Sequence, residues 1–334
     1  MFSFIDTWLN ASIWVGIVLI ILGFIGLIKG ADWLVDGASA IAKRFGISDL
    51  VIGLTVVAFG TSMPEFVVNM ISVAHGSTDL AITNILGSNI INTFVILGLT
   101  AAIYPIATQP RTRNFDIPMS IVAGGIVVAC IFLRPLITGQ NRGIDYIGGI
   151  VLLLIFAYFL YNTFRHAKDH PEEPNVEEVQ IKKISPVKSV FLMLSGLGGL
   201  VIGGEFIVDS AVNIATRLGV SEAIIGLTIV ALGTSLPELA TSVIAAYKHN
   251  ADIAIGNVFG SNIFNVFFVL GISAVVNPLP AYSGIEIDAC IAALGGIITW
   301  LVIKANHDRK VTRWGGIILL LVYSSYLTYR LMCV

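Results

Sequence analysis

Two glutamates, Glu65 and Glu238, lie near the middle of long apolar runs, where a charged side chain such as Asp costs roughly 2.5–3.5 kcal/mol on insertion scales. Each closes a six-residue stretch, Gly-Thr-Ser-Met-Pro-Glu at 60–65 and Gly-Thr-Ser-Leu-Pro-Glu at 233–238. Thr61 and Ser62 precede Glu65 by four and three residues, so two hydroxyls and a carboxylate share one helical face, as do Thr234, Ser235 and Glu238. Downstream, Ser88 stands four residues before Asn92 and Ser261 four before Asn265. The proline before each glutamate lacks an N–H and clashes with the carbonyl four residues back, that of Gly60 or Gly233, so the helix is expected to break. Freed carbonyl oxygens are tolerated in a bilayer only where protein, water or ions satisfy them. Carboxylates, hydroxyls, amides and carbonyls together form an all-oxygen set that suits a hard cation, calcium or sodium, and not zinc or copper.

Blander readings compete at each position. An intramembrane acid can be a neutral group hydrogen-bonded for packing, but here the acid recurs with its whole neighbourhood, which favours an ion or proton pathway. Small residues in apolar helices commonly serve packing, and Gly87, Gly260, Asn89 and Asn262 are read that way. Catalysis finds no support: His75, His166, His170, His249 and His307 fall at loop edges, and no base is placed to activate a motif hydroxyl. The chain is therefore not read as an enzyme. Cys130, Cys290 and Cys333 lie in apolar runs without zinc or disulfide spacing.

The elements that carry these residues are written twice. Residues 53–66 and 226–239 match at ten of fourteen positions, and the correspondence extends without a gap at an offset of 173, pairing Asp36 with Asp209, Arg44 with Arg217 and 87–92 with 260–265. At 56% hydrophobic, 12% charged and mean hydropathy +0.89, the chain is far more apolar than a soluble domain. Its net charge of −2 gives no reason to expect nucleic acid. No cleavable leader is expected, because the first apolar run continues from Ile13 to Ile28 without a small-residue end.

Runs able to cross about 30 Å of hydrocarbon fall at roughly 12–45, 47–75, 79–105, 116–134, 144–165, 187–218, 221–248, 252–277, 284–304 and 312–331. The expected fold class is all-α: a polytopic membrane protein with ten transmembrane helices in two inverted five-helix repeats. Five is odd, so homologous halves must insert with opposite orientation. Residues 1–166 form the first repeat, 167–186 a charged cytoplasmic linker and 187–334 the second repeat. The first and sixth spans, about 33 residues or roughly 50 Å long, should tilt strongly or run along the interface. Placing both termini outside puts fourteen of the nineteen Lys and Arg residues on the cytoplasmic side, as the positive-inside rule requires.

The duplicated Gly-Thr-Ser-x-Pro-Glu, each copy followed by Gly-Ser-Asn-Ile-x-Asn, resembles the two alpha-repeats of the calcium/cation antiporter superfamily, specifically of prokaryotic sodium/calcium exchanger-like proteins. The resemblance covers nearly the whole chain. It implies a midplane site built by the second, third, seventh and eighth helices. Its cation ligands fall here on Thr61, Ser62 and Glu65 with the Ala58 carbonyl, and on Thr234, Ser235 and Glu238 with the Ala231 carbonyl. Ser88, Asn92, Ser261 and Asn265 come from the partner helices. One departure is that some members carry an acid where this chain has Asn92 or Asn265, so the site should hold two formal negative charges.

The expected function is secondary antiport of Ca²⁺ for Na⁺ by alternating access in the cytoplasmic membrane of a prokaryote, multi-pass and with no cofactor beyond the transported ions. The lipid bilayer is its only other expected partner. Protonating two glutamates would also empty the site, so a Ca²⁺/H⁺ antiporter is the alternative, and a passive cation channel could use the same oxygens.

Overall fold

The computed structural model describes residues 12–138, 143–169, 185–220, 231–282 and 284–332. Helix α1 runs from Ile13 to Phe45; it opens where the Ser12 hydroxyl accepts the Trp14 N–H and closes at Gly46, left-handed at φ 62°. Helix α2, Asp49–Thr61, begins at the Ser48 hydroxyl, which accepts from the Val51 N–H. It breaks at Ser62 and resumes as α3, Met63–Ala74, bent by 46°. There follow α4 (Thr78–Ile103), α5 (Thr112–Leu133), α6 (Tyr146–Asp169) and α7 (Pro186–Arg217). A short turn, Ala231–Gly233, leads into α8 (Leu236–Tyr247). The chain continues as α9 (Ala251–Val276), α10 (Ile285–Ala305) and α11 (Arg313–Met332).

Among the described residues, eight helices are long and apolar enough to span a membrane alone, and α2 with α3 supplies a ninth, broken span. The protein is a multi-pass membrane protein. The expected seventh span begins at 221–230, outside the described residues, as do 170–184 of the expected linker. The other boundaries agree with the sequence expectation to within four residues. Four two-residue strands were not anticipated: β1 (Ile106–Ala107), β2 (Gly143–Ile144), β3 (Leu279–Pro280) and β4 (Lys310–Val311). β1 pairs antiparallel with β4 and β2 with β3.

The excess length of α1 and α7 is used in a shared antiparallel contact. A Cβ on Gly30 would lie 2.7 Å from the Gly196 carbonyl oxygen, one on Gly23 2.7 Å from that of Gly203, and Gly26 faces Gly199. Gly26 and Gly199 are counterparts at the repeat offset, so the pseudo-two-fold axis passes between them. The same axis relates Gly98 against Gly316 to Gly271 against Gly149, and exchanges the β1–β4 pair with β3–β2.

Helices α4 and α9 form the centre, with 78% and 83% of their apolar windows buried, against at most 33% for the other full-length spans. Their neighbours turn large apolar side chains outward, among them Ile21, Phe24 and Leu154, each about half exposed or more, as a lipid-facing surface requires.

Candidate cation site

The sequence Ser62-Met63-Pro64-Glu65 has the spacing of a capping box, in which the serine and the glutamate would satisfy the first N–H groups of the following helix. Proline takes up an early helical position, where its missing N–H costs little, but Ser62 makes no side-chain cap. Its hydroxyl instead donates across the axis to Glu238 Oε1 at 2.7 Å. The second repeat reciprocates: Ser235 makes no cap and donates to Glu65 Oε1 at 3.4 Å. Each carboxylate also receives a hydroxyl from its own repeat, Ser88 to Glu65 at 3.5 Å and Ser261 to Glu238 at 3.4 Å. Both glutamates sit in the first turn of a half-helix, where the helix dipole favours negative charge.

Glu65, Ser62, Glu238, Ser261 and Asn265 are all 0% exposed. Thr61, Ser88, Asn92 and Ser235 are buried almost as completely, and Thr234 is partly buried. Neither glutamate is paired with Lys, Arg or His among the described residues. Each keeps its second oxygen, Oε2, buried without a hydrogen bond, and so do Thr234 Oγ1, Asn92 Oδ1 and Asn265 Oδ1. Buried polar groups are normally satisfied, so these unpartnered oxygens, contributed by both repeats, are atoms that could hold a cation. Among the described residues no group of three or more His, Cys, Asp or Glu is placed to hold a metal ion.

Two positions behave less simply. The Ala58 carbonyl already accepts the Ser62 N–H at 3.0 Å and the Thr61 hydroxyl at 3.3 Å, so both lone pairs are engaged in this conformation. Ala231 opens the described turn before α8. Asn92 and Asn265 lie in π-helical turns, Ile91–Ile96 and Phe264–Leu270. A π turn carries an extra residue and often marks a functional site.

Sequence reasoning missed a supporting polar layer. Asn84 donates to Asn69 Oδ1 at 2.9 Å, and Asn257 donates to the Ser242 hydroxyl at 3.0 Å and to the Glu238 carbonyl at 3.2 Å. Thr61 reaches Asn257 Oδ1 at 3.0 Å. The signal was present: Asn69 and Ser242 follow the glutamates by four residues, Asn84 and Asn257 precede Ser88 and Ser261 by four, and both pairs obey the repeat offset. Asn89 and Asn262 lie across the axis, Asn89 donating to the Asn262 carbonyl at 3.2 Å and accepting from the Asn265 amide at 3.1 Å.

The sequence family described as sodium/calcium exchanger protein matches residues 15–165 and 188–332. The chain belongs to the sodium/calcium exchanger family. Among relatives, CaxA of Alkalimonas amylolytica, named as a candidate antiporter, is 36% identical over 93% of this chain and 97% of its own. The sodium/calcium exchanger MaX1 of Methanosarcina acetivorans is 28% identical over 94% and 97%. A solved structure of the sodium-calcium exchanger NCX_Mj, soaked with Na⁺ and Sr²⁺, superposes with a TM-score of 0.80 at 32% identity, covering 95% of this chain and 99% of that one. Like the other exchangers of the family, the chain is a transporter and not an enzyme, and the two matched blocks lie either side of the expected linker.

Proposed function

We propose that the chain exchanges Ca²⁺ for Na⁺ by alternating access, at a site formed by Thr61, Ser62, Glu65, Ser88, Asn92, Thr234, Ser235, Glu238, Ser261 and Asn265, with the Ala58 and Ala231 carbonyls joining as the half-helices move. The observation that carries this reading is the crosswise pair of fully buried carboxylates, each with an unpartnered oxygen and no cationic side chain. Two uncompensated buried charges are costly, and one Ca²⁺ or two Na⁺ neutralise them. Competition for the same two charges couples the ions. Discontinuous half-helices meeting at a pseudo-two-fold axis are the architecture in which one half rocks against the other around a fixed site. The relatives named as exchangers support the same ions.

Uptake of radiolabelled calcium into proteoliposomes tests it. Na⁺-loaded vesicles with pH clamped by an ionophore should accumulate Ca²⁺ against its gradient. Stimulation by a pH gradient alone, with none from Na⁺, would reassign the counter-ion to the proton, and leak without stoichiometric counterflux would indicate a channel. Sodium coupling also requires the hydroxyls: Ser62→Ala removes the 2.7 Å bond to Glu238, a charged-group hydrogen bond contributing about 1.5–3 kcal/mol. It should weaken both Ca²⁺ and Na⁺ affinity by about tenfold or more, and Ser235→Ala, at 3.4 Å, by less.

The proposed setting is the cytoplasmic membrane of a prokaryote, with residues 1–166 and 187–334 as the two repeats, 167–186 as a cytoplasmic linker and both termini outside. A single cysteine at position 175, outside the described residues, in a background lacking Cys130, Cys290 and Cys333, should resist an impermeant thiol reagent applied to intact cells. Labelling from outside would invert the orientation.

A further inference from the structure

A polar cavity whose lining includes neither glutamate lies where α5 and α10 meet the β1–β4 pair. It measures about 220 Å³ and is lined by Arg113, Asn114, Trp300, Ile303, Lys304 and Arg309. Three of these six are cations and none is an acid. Like charges brought to one cavity repel unless a counter-charge is present, and here none of the three forms an ion pair among the described residues. Asp308, next in sequence to Arg309, lies 3.9 Å from Lys310 and 3.6 Å from the His307 ring.

Neutral groups hold the cations in place. Arg113 donates through Nη1 to the Thr108 carbonyl and, at 3.2 Å, to the Thr108 hydroxyl. Lys304 Nζ sits 3.7 Å from the centroid of the Trp300 ring, and the indole Nε1 donates to the Arg113 carbonyl at 3.3 Å. Arg309 donates to the Lys304 carbonyl at 2.9 Å and takes φ 54°, a left-handed conformation uncommon for a residue other than glycine. Its own carbonyl is clamped by the Thr108 hydroxyl at 2.5 Å. Strained backbone persists where the surroundings over-determine it, and it clusters at ligand clamps.

We infer that this pocket binds the phosphate of an anionic phospholipid headgroup. The chemistry is a phosphate oxygen set facing two guanidinium groups and an ammonium. The volume is below the roughly 300–1,000 Å³ of sites for drug-sized ligands, which suits a phosphodiester and disfavours a nucleotide. Location selects lipid over free phosphate: Arg113 and Lys304 lie at the ends of two membrane-spanning helices beside a tryptophan, the residue enriched at the bilayer interface. Basic pockets between transmembrane helices bind anionic headgroups in this way. The proposed orientation puts the pocket in the inner leaflet, but the binding itself does not depend on that orientation or on the transported ion.

Native mass spectrometry of the detergent-purified full chain tests it, with phosphatidylglycerol compared against phosphatidylcholine of the same acyl chains. Phosphatidylglycerol should be retained about tenfold or more in preference. Lys304→Gln, which removes an exposed side chain, should lower that retention about fivefold, in line with the contribution of one cation at an anionic surface. Arg113→Gln combined with Lys304→Gln and Arg309→Gln should abolish the preference, while Lys43→Gln, a basic residue elsewhere, leaves it intact. Equal retention of the two lipids, or an unchanged preference in Lys304→Gln, overturns the proposal. Displacement of the lipid by inorganic phosphate at a few millimolar would assign the pocket to a soluble anion and equally overturn it.

Discussion

Glu65→Gln and Glu238→Gln should each abolish calcium exchange while leaving folded protein in the membrane. Glutamine keeps the volume of the side chain and an acceptor oxygen for Ser62 or Ser235, so the crosswise hydrogen bonds have a partner in either variant. What disappears is one of two negative charges in a site with 0% exposure at both acids. A single carboxylate leaves bound Ca²⁺ with an uncompensated charge in a low-dielectric interior, where truncating one side of a buried charge pair costs about 3–5 kcal/mol. Uptake should fall by about 100-fold or more in Na⁺-loaded vesicles. Calcium should also cease to raise the melting temperature of the variants, because a ligand stabilises only the state that binds it. Near-normal uptake by either variant would remove the paired-carboxylate site.

Gly30→Leu should have an effect of comparable size by a different route. The first added carbon would lie 2.7 Å from the Gly196 carbonyl oxygen and 2.8 Å from the Leu200 nitrogen. Both are backbone atoms, which cannot rotate away, so α1 and α7 must separate along a contact that also includes Gly23 and Gly203. Overpacking of this kind costs about 1–3 kcal/mol and at times more. The expected result is a melting temperature lowered by several degrees and little residual transport. Gly198→Ala provides the control: it lies on the same helix as Gly196, and a Cβ there meets nothing within 4 Å, so both quantities should stay near wild type. A Gly30→Leu protein as stable and active as wild type would show that the α1–α7 contact is loose.

The duplication made much of this architecture legible. An offset of 173 residues located both glutamates, their hydroxyls and the broken helix, because a proline before an intramembrane acid has one physical consequence in either copy. Span positions followed from hydropathy, since crossing hydrocarbon fixes a length. Periodicity cannot show which repeat a hydroxyl serves. Sequence spacing groups Ser62 with Glu65 of its own repeat, and only the three-dimensional arrangement turns it to Glu238. The π turns at Ile91–Ile96 and Phe264–Leu270 are equally silent in sequence, because one extra residue in a turn leaves the apolar pattern nearly unchanged. Asn69 and Asn257 were overlooked for a simpler reason: small amides in apolar helices read as packing until their partners are visible.

The axis that relates the repeats is imperfect where Asn89 and Asn262 meet it. Asn262 donates to the Thr93 hydroxyl at 2.7 Å, but the counterpart of Thr93 is Val266, which has nothing to accept with. Asn265 donates to Asn89 Oδ1 at 3.1 Å, whereas both amide atoms of Asn92 are left without a partner. A machine with identical halves would meet its cargo on equal terms from either face of the membrane. With Thr93 set against Val266 the two half-sites differ in chemistry, so under the proposed alternating access the ion concentration needed to load the site from one face need not equal that from the other.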